Sequence, residues 1–154
     1  MTASAKASPR LRMNLDLRNG PEDGSQRMLN ALEPGTVMTI HRHHGSSETV
    51  VILRGKMQWV FYDENGNETE RVTLDADGEP RMLNVERDWW HSLVCLESGS
   101  VLYESKDGLY HPLEEDEIMV KYIVGSMKSK RIIALAKGVW AFCSYLFGAQ
   151  RRRY

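Results

Sequence analysis

The chain has 154 residues, enough for one domain and a short appendage, and its 42% hydrophobic and 27% charged residues rule out a disordered composition. The formal net charge of -1 hides an asymmetry: residues 126–154 hold seven basic side chains and no acid, which leaves the preceding 125 residues at -8. An acidic body of this kind excludes nucleic acid as the expected ligand of the domain, and two distant cysteines, Cys95 and Cys143, exclude a disulfide framework or a zinc knuckle and fit a reducing compartment.

Residues 1–10 read as a disordered start, small and polar, with no apolar run of the signal-peptide kind, so a cytoplasmic location is expected. Leu11, Met13, Leu15 and Leu17 alternate and suit a strand; Gly20, Pro21 and Gly24 mark a loop. Residues 26–32 are mixed, and Pro34-Gly35 forces a turn before the apolar run 37–40. Residues 48–54 and 56–62 follow as strands, with Met57, Trp59 and Phe61 on one face of the second. Asn65-Gly66 is a hairpin turn, because it supplies positive φ at little cost. Residues 68–74, 81–85, 91–96 and 100–106 complete eight or nine short strands with turn signals every 8–12 residues, the spacing of an all-β sandwich or barrel. The acidic run Glu114-Glu115-Asp116-Glu117 reads as a solvated segment within a linker, residues 113–125. In 126–154, Ile132, Leu135, Ala136, Val139, Trp140, Cys143, Leu146 and Phe147 recur at helical spacing, so an added basic, amphipathic C-terminal helix is expected. Its apolar stripe suits packing on the barrel or on a second subunit, hence an expected homodimer. Its basic flanks suit peripheral contact with an anionic membrane surface.

The chemistry concentrates between Gly35 and Gly55. His41 and His43 are two apart, and residues i and i+2 of a strand share a face. Gly45, Ser46 and Ser47 suit a reversing loop, which would bring Glu48 beside both imidazoles. His-x-His alone is ordinary at a strand end; with Glu48 and both glycines in register it reads as a metal site. His44 adjoins His43 and would face away, His111 lies beyond the last strand, and Cys95 sits about 13 Å along the strand from His91, too far to share an ion. Trp59, Phe61, Trp89 and Trp90 read as core or pocket wall, and Arg27 as a candidate for orienting an anionic or sugar-phosphate ligand.

The spacing Gly35, His41, His43, Glu48, Gly55 resembles the first motif of the cupin superfamily and satisfies each of its fixed positions. The second cupin motif is represented by His91 alone, since Glu86, Asp88 and Cys95 stand where Pro, Gly and Asn are expected. The stretches 26–35, 41–43, 90–94 and 104–110 look like the WbuC-type cupin fold metalloproteins, a resemblance running from about residue 12 to residue 112. It implies a single cupin domain (a conserved β-barrel, jelly-roll-like) over residues 11–112 and His91 as a fourth ligand with His41, His43 and Glu48. It also implies a link to surface-polysaccharide gene sets, and no catalytic residue.

Three imidazoles and a carboxylate suit one divalent ion, Fe, Mn, Ni, Co or Zn, and leave open positions for a small polar metabolite or sugar. Two readings follow: a metal-dependent isomerase, epimerase or oxygenase, and a non-catalytic carbohydrate- or metabolite-binding module.

Overall fold

Strand-forming sequence with period-two alternation has to bury one face, and here two antiparallel sheets bury theirs against each other. The computed structural model describes residues 1–119. Helix α1 (Thr2–Ala7) precedes ten strands: β1 (Arg12–Asp16), β2 (Ser25–Leu32), β3 (Ile40–His41), β4 (Glu48–Arg54), β5 (Lys56–Tyr62), β6 (Glu68–Asp75), β7 (Met82–Val85), β8 (Trp90–Cys95), β9 (Ser100–Asp107) and β10 (Ile118–Met119). One sheet runs β1-β2-β9-β4-β7 and the other β10-β3-β8-β5-β6. The all-β expectation holds.

The core lies between the sheets. Val50 and Ile52 of β4 face Met57, Trp59 and Phe61 of β5 in one buried cluster with Leu32, Leu74, Val85, Cys95 and Leu102. Cys95 is a core residue. The Asn65-Gly66 turn joins β5 to β6, with Gly66 at φ 76°. Gly55 turns the chain between β4 and β5 at φ 73°, and a side chain there would collide with Ser100 Oγ, so both the conformation and the space require glycine.

Several expectations are corrected. Residues 1–10 are ordered enough to hold α1, with Ala5 completely buried. Residues 26–32 belong to an eight-residue strand, β2, paired along its whole length with β9. Of the run 37–40, only Ile40 joins regular pairing, in the two-residue β3. The β domain continues past residue 112: a single 3-10 turn at Glu115–Glu117 leads into β10, which pairs with β3 through Ile118↔His41 and Met119↔Ile40. Glu117, expected in a solvated run, is buried at 1% exposure. The expected C-terminal helix lies outside the described residues. Among the described residues no helix is long and apolar enough to cross a membrane.

Candidate metal centre

The short strand β3 delivers His41 to the edge of β8, where it pairs directly with His91. His91 is in turn the cross-strand neighbour of Phe61 on β5. His43 follows two residues after His41 and turns to the same side, so the three rings converge. Ring centroids are 4.4 Å apart for His41 and His91, 5.1 Å for His41 and His43, and 5.8 Å for His43 and His91. One ring nitrogen from each lies within 4.8 Å of the other two.

Backbone carbonyls fix two of these rings. A carbonyl can only accept, so His41 Nδ1 donates to the Thr39 carbonyl (3.1 Å) and His91 Nδ1 to the Trp89 carbonyl (2.9 Å). Each ring then carries its lone pair on Nε2. His91 Nε2 is buried and has no hydrogen-bond partner among the described residues. An orphaned buried acceptor costs about 1–3 kcal/mol. A divalent ion would satisfy it, and a carbonyl-oriented imidazole is the usual form of a metal-binding histidine. The histidines therefore fit a metal ion.

Burial also favours the neutral form of His41 and His91. The pKa of His41 is held well below the ordinary imidazole value, first by burial and then by the charges its neighbours His91 and His43 would carry. Burial lowers that of His91 as well.

Glu48, buried at the start of β4, sends Oε2 to within 3.2 Å of His43 Nε2. Lys106 of β9, the cross-strand neighbour of Glu48, places its ammonium 3.2 Å from His43 Nε2, 3.5 Å from Glu48 Oε2 and 3.0 Å from Glu104 Oε1. The network runs on: Asn30 donates to Glu104 Oε2 at 3.0 Å, and Asn14 donates to Asn30. Burial pushes the Glu48 carboxyl up, but the His43 hydrogen bond and the Lys106 charge outweigh it, and the net shift is downward. Glu104 goes the other way, raised by burial and by the charge of Glu48. The Lys106 ammonium loses by burial and gains more from the two glutamates, so it stays charged.

A cleft of about 570 Å³ opens on this network. His41, His43, Glu104, Lys106, Tyr110 and His111 are among the residues that line it. Arg27 is not brought there. It alternates with Gln26 and Met28, which do line the cleft, and its guanidinium pairs with Asp23 at 2.5 Å. His44 turns outward to Asp88, with Nδ1 and Oδ1 2.5 Å apart. Lys106, Glu104 and Asn30 were missed as site residues. The signal available was alternation along residues 100–106, which places Glu104 and Lys106 on one face.

A family model described as a domain of unknown function (DUF6016) matches residues 1–74. No curated protein matches the chain. Among solved structures, the capsular polysaccharide assembling protein CapF from Staphylococcus aureus superimposes with a TM-score of 0.59 at 18% identity, over 73% of this chain and 32% of that one. Oxalate decarboxylase from Bacillus subtilis gives 0.53 at 19% identity, over 82% of this chain and 32% of that one. KdgF from Halomonas sp. gives 0.50 at 14% identity, over 67% and 84%. This is the cupin fold. The likeness establishes architecture and no more, and the chain spans less than a third of CapF or oxalate decarboxylase. His41 and His91 come from the sheet of β3 and β8, and Glu48 and Lys106 reach His43 from the other sheet, beside the cleft.

Proposed function

We propose that this chain binds one divalent metal ion on His41, His43, Glu48 and His91 and presents it to a small polar, sugar-related metabolite in the adjoining cleft. The observation that carries the reading is the convergence of three imidazoles, two of them carbonyl-oriented, around a buried nitrogen without a hydrogen-bond partner among the described residues. A bound ion with open positions supplies Lewis-acid polarisation and a chelation point for adjacent oxygens. The chain's own contribution is polar: Glu104, Lys106 and Asn14 line the cleft and can meet hydroxyl or carbonyl groups. The fold neighbour CapF, named for capsular polysaccharide assembly, supports the sugar-related class.

Two readings of the outcome remain in play. Turnover, as an isomerase, epimerase or oxygenase, is favoured by Glu104, a cleft carboxyl whose raised pKa brings it nearer to proton-transfer duty at neutral pH. A binding module is favoured by the way Glu48, Glu104 and Lys106 are already tied to one another. Metal-loaded protein incubated with nucleotide sugars separates them: product supports the enzyme, and saturable binding without product supports the module. Metal analysis of the protein as isolated tests the shared premise, and metal-free protein that takes up no divalent ion would refute it.

Occupancy should depend on pH in a defined direction. Imidazoles bind metal only when neutral. Because burial lowers the pKa of His41 and His91 below the ordinary 6.5, occupancy is expected to persist from neutral solution to below pH 6.5 and to fall as the depressed values are passed. Stability of the metal-free protein follows the same sign. The unfolded chain binds more protons between the folded and unfolded values, so stability is level above 6.5 and declines as pH falls through that window. Metal content after dialysis at a series of pH values checks this, and occupancy unchanged from neutral to clearly acidic solution would speak against histidine ligation.

Removal of the basic C-terminal segment should leave the metal in place. A chain ending after Lys121 keeps β10, its pairing with β3 and every histidine of the centre. Unchanged metal content is expected, with any effect confined to oligomeric state or liposome association. A folded, truncated protein without metal would show that the segment completes the site.

A further inference from the structure

The alternation that turns Leu32, Val50, Ile52, Val85 and Leu102 into the core turns their chain neighbours to the outside of the same sheet. There the register lines them up. Leu15 of β1 pairs with Leu29 of β2, Leu29 with Tyr103 of β9, Tyr103 with Val51 of β4, and Val51 with Met82 of β7. One apolar side chain therefore stands on each of the five strands, in a single row across the outer face. The ends of the row are open, with Leu15 45% and Met82 58% exposed, and Leu53, two residues along β4 from Val51, is exposed as well. The next row on one side is Arg27, Ser105, Thr49 and Asn84, a polar rim whose single charge is paired with Asp23.

We infer that this chain pairs with a second copy of itself through the outer face of the β1-β2-β9-β4-β7 sheet, about a two-fold axis running along β9. Contiguous exposed apolar surface marks an interaction site, and a sheet face is buried best against another sheet face. The row has a centre that selects the partner: β9 is the middle strand of five, with two aliphatic side chains on either side of Tyr103. A two-fold axis along β9 lays the row on its own copy. Tyr103 meets its counterpart at the axis, Leu29 meets the second copy's Val51, and Leu15 meets the second copy's Met82. Every contact sets an apolar group on an apolar group, the self-complementarity that an isologous pair requires. The size also suits a pair. Five strands put Leu15 and Met82 about 19 Å apart, and with the flanking rows the face covers roughly 500 Å² in projection. Side-chain relief raises this toward the ~800 Å² that each partner contributes to a stable interface. The inner face of the same sheet lines the cleft, through Asn14, Met28 and Glu104, so pairing leaves the cleft free. Because the axis follows β9, the two clefts, each at the Lys106 end of that strand, open at the same end of the pair. The inference is independent of the metal-binding reading.

Analytical ultracentrifugation of the full-length chain, from nanomolar to submillimolar concentration, should show a monomer–dimer equilibrium. Leu15 and Met82 are exposed in the single chain, so Leu15→Glu and Met82→Lys should fold as wild type, which circular dichroism checks. Each should raise the dimer dissociation constant at least about tenfold, because the new charge occurs twice in the pair and loses its water. The double variant sets these opposite charges against each other across the axis and should pair at least about tenfold more tightly than either single variant. Leu96→Lys, an exposed position just beyond β8 of the other sheet, should leave the equilibrium within about threefold of wild type. A chain that stays monomeric throughout, a dimer indifferent to Leu15→Glu and Met82→Lys, or a double variant no tighter than the singles would overturn the inference. So would a dimer that a chain ending after Lys121 no longer forms, since the contact would then belong to the basic C-terminal segment. Should a variant fail to fold, hydroxyl-radical footprinting of the wild-type chain decides the matter. Met82 should lose at least about threefold in reactivity between dilute and concentrated solution, as a side chain buried in an interface does. Equal reactivity at both concentrations would overturn the pairing.

Discussion

His41→Ala and His43→Ala should each lower metal affinity by more than about a hundredfold, since even the outer partners of metal ligands are worth about 10–100-fold. His91→Ala should do nearly the same. Its Nε2 is buried and has no hydrogen-bond partner among the described residues, and its ring is locked by the Trp89 carbonyl. His44→Ala is the internal control. Its imidazole faces outward to Asp88 and is 40% exposed, so its loss should change affinity by no more than about threefold, as for a surface substitution away from the site. Removing a histidine should also leave the fold intact. His41 and His91 pair through backbone atoms of β3 and β8, which the substitution does not touch. Elemental analysis after dialysis, with chelator competition for the affinities, gives the numbers. Equal metal content in wild type and in the His41→Ala, His43→Ala double variant would remove the site assignment.

Why these histidines could be read from sequence while their neighbours could not is a question of range. His41, His43 and Glu48 lie within eight residues, bracketed by turn glycines, so strand period and loop chemistry bring them together without knowledge of the sheet. Gly55 could be read for the same local reason, and its contact with Ser100 explains why no other residue fits. His91 needed a family resemblance, because its approach to His41 depends on β3 and β8 lying side by side in one sheet. Lys106 and Glu104 depend on the register between β4 and β9, which sets Glu48 opposite Lys106 across 57 intervening sequence positions. Alternation places them on a face, but no local signal says which strand that face will meet. Arg27 illustrates the opposite error. Read as part of a mixed segment, it had no assigned face; in β2 it stands on the side away from the cleft while Gln26 and Met28 face it. The all-β class, by contrast, is a sum over many short alternating runs, and a misread β2 or a shortened β3 does not change it.

The acidic run before β10 yields the other large effect. Glu114, Glu115 and Asp116 are exposed, as a charged run ordinarily is, but Glu117 is buried and accepts from two backbone amides, His44 N at 3.0 Å and Glu114 N at 2.9 Å. The Glu114 side chain accepts from the Glu117 backbone in return, closing a capping box around the 3-10 turn. The carboxylate therefore ties the turn that precedes β10 to the loop that carries His43 and His44. Glu117→Ala would leave two amide donors without their acceptor and should destabilise the protein by about 2–4 kcal/mol, each orphaned donor costing about 1–3. Glu115→Ala, two residues earlier in the same run, should stay within about 0.5 kcal/mol. The effect of Glu117 should also depend on pH. Burial pushes its carboxyl up, but the hydrogen bonds from Glu114 and His44 outweigh this and lower its pKa below the ordinary 4.5. Its contribution is then present above about pH 4.5 and is lost as pH falls toward the depressed folded value. Denaturant unfolding of wild type and both variants at neutral pH and near pH 3 measures the difference. Equal losses from Glu115→Ala and Glu117→Ala would show that the run is uniformly solvated and that Glu117 does not hold the histidine loop.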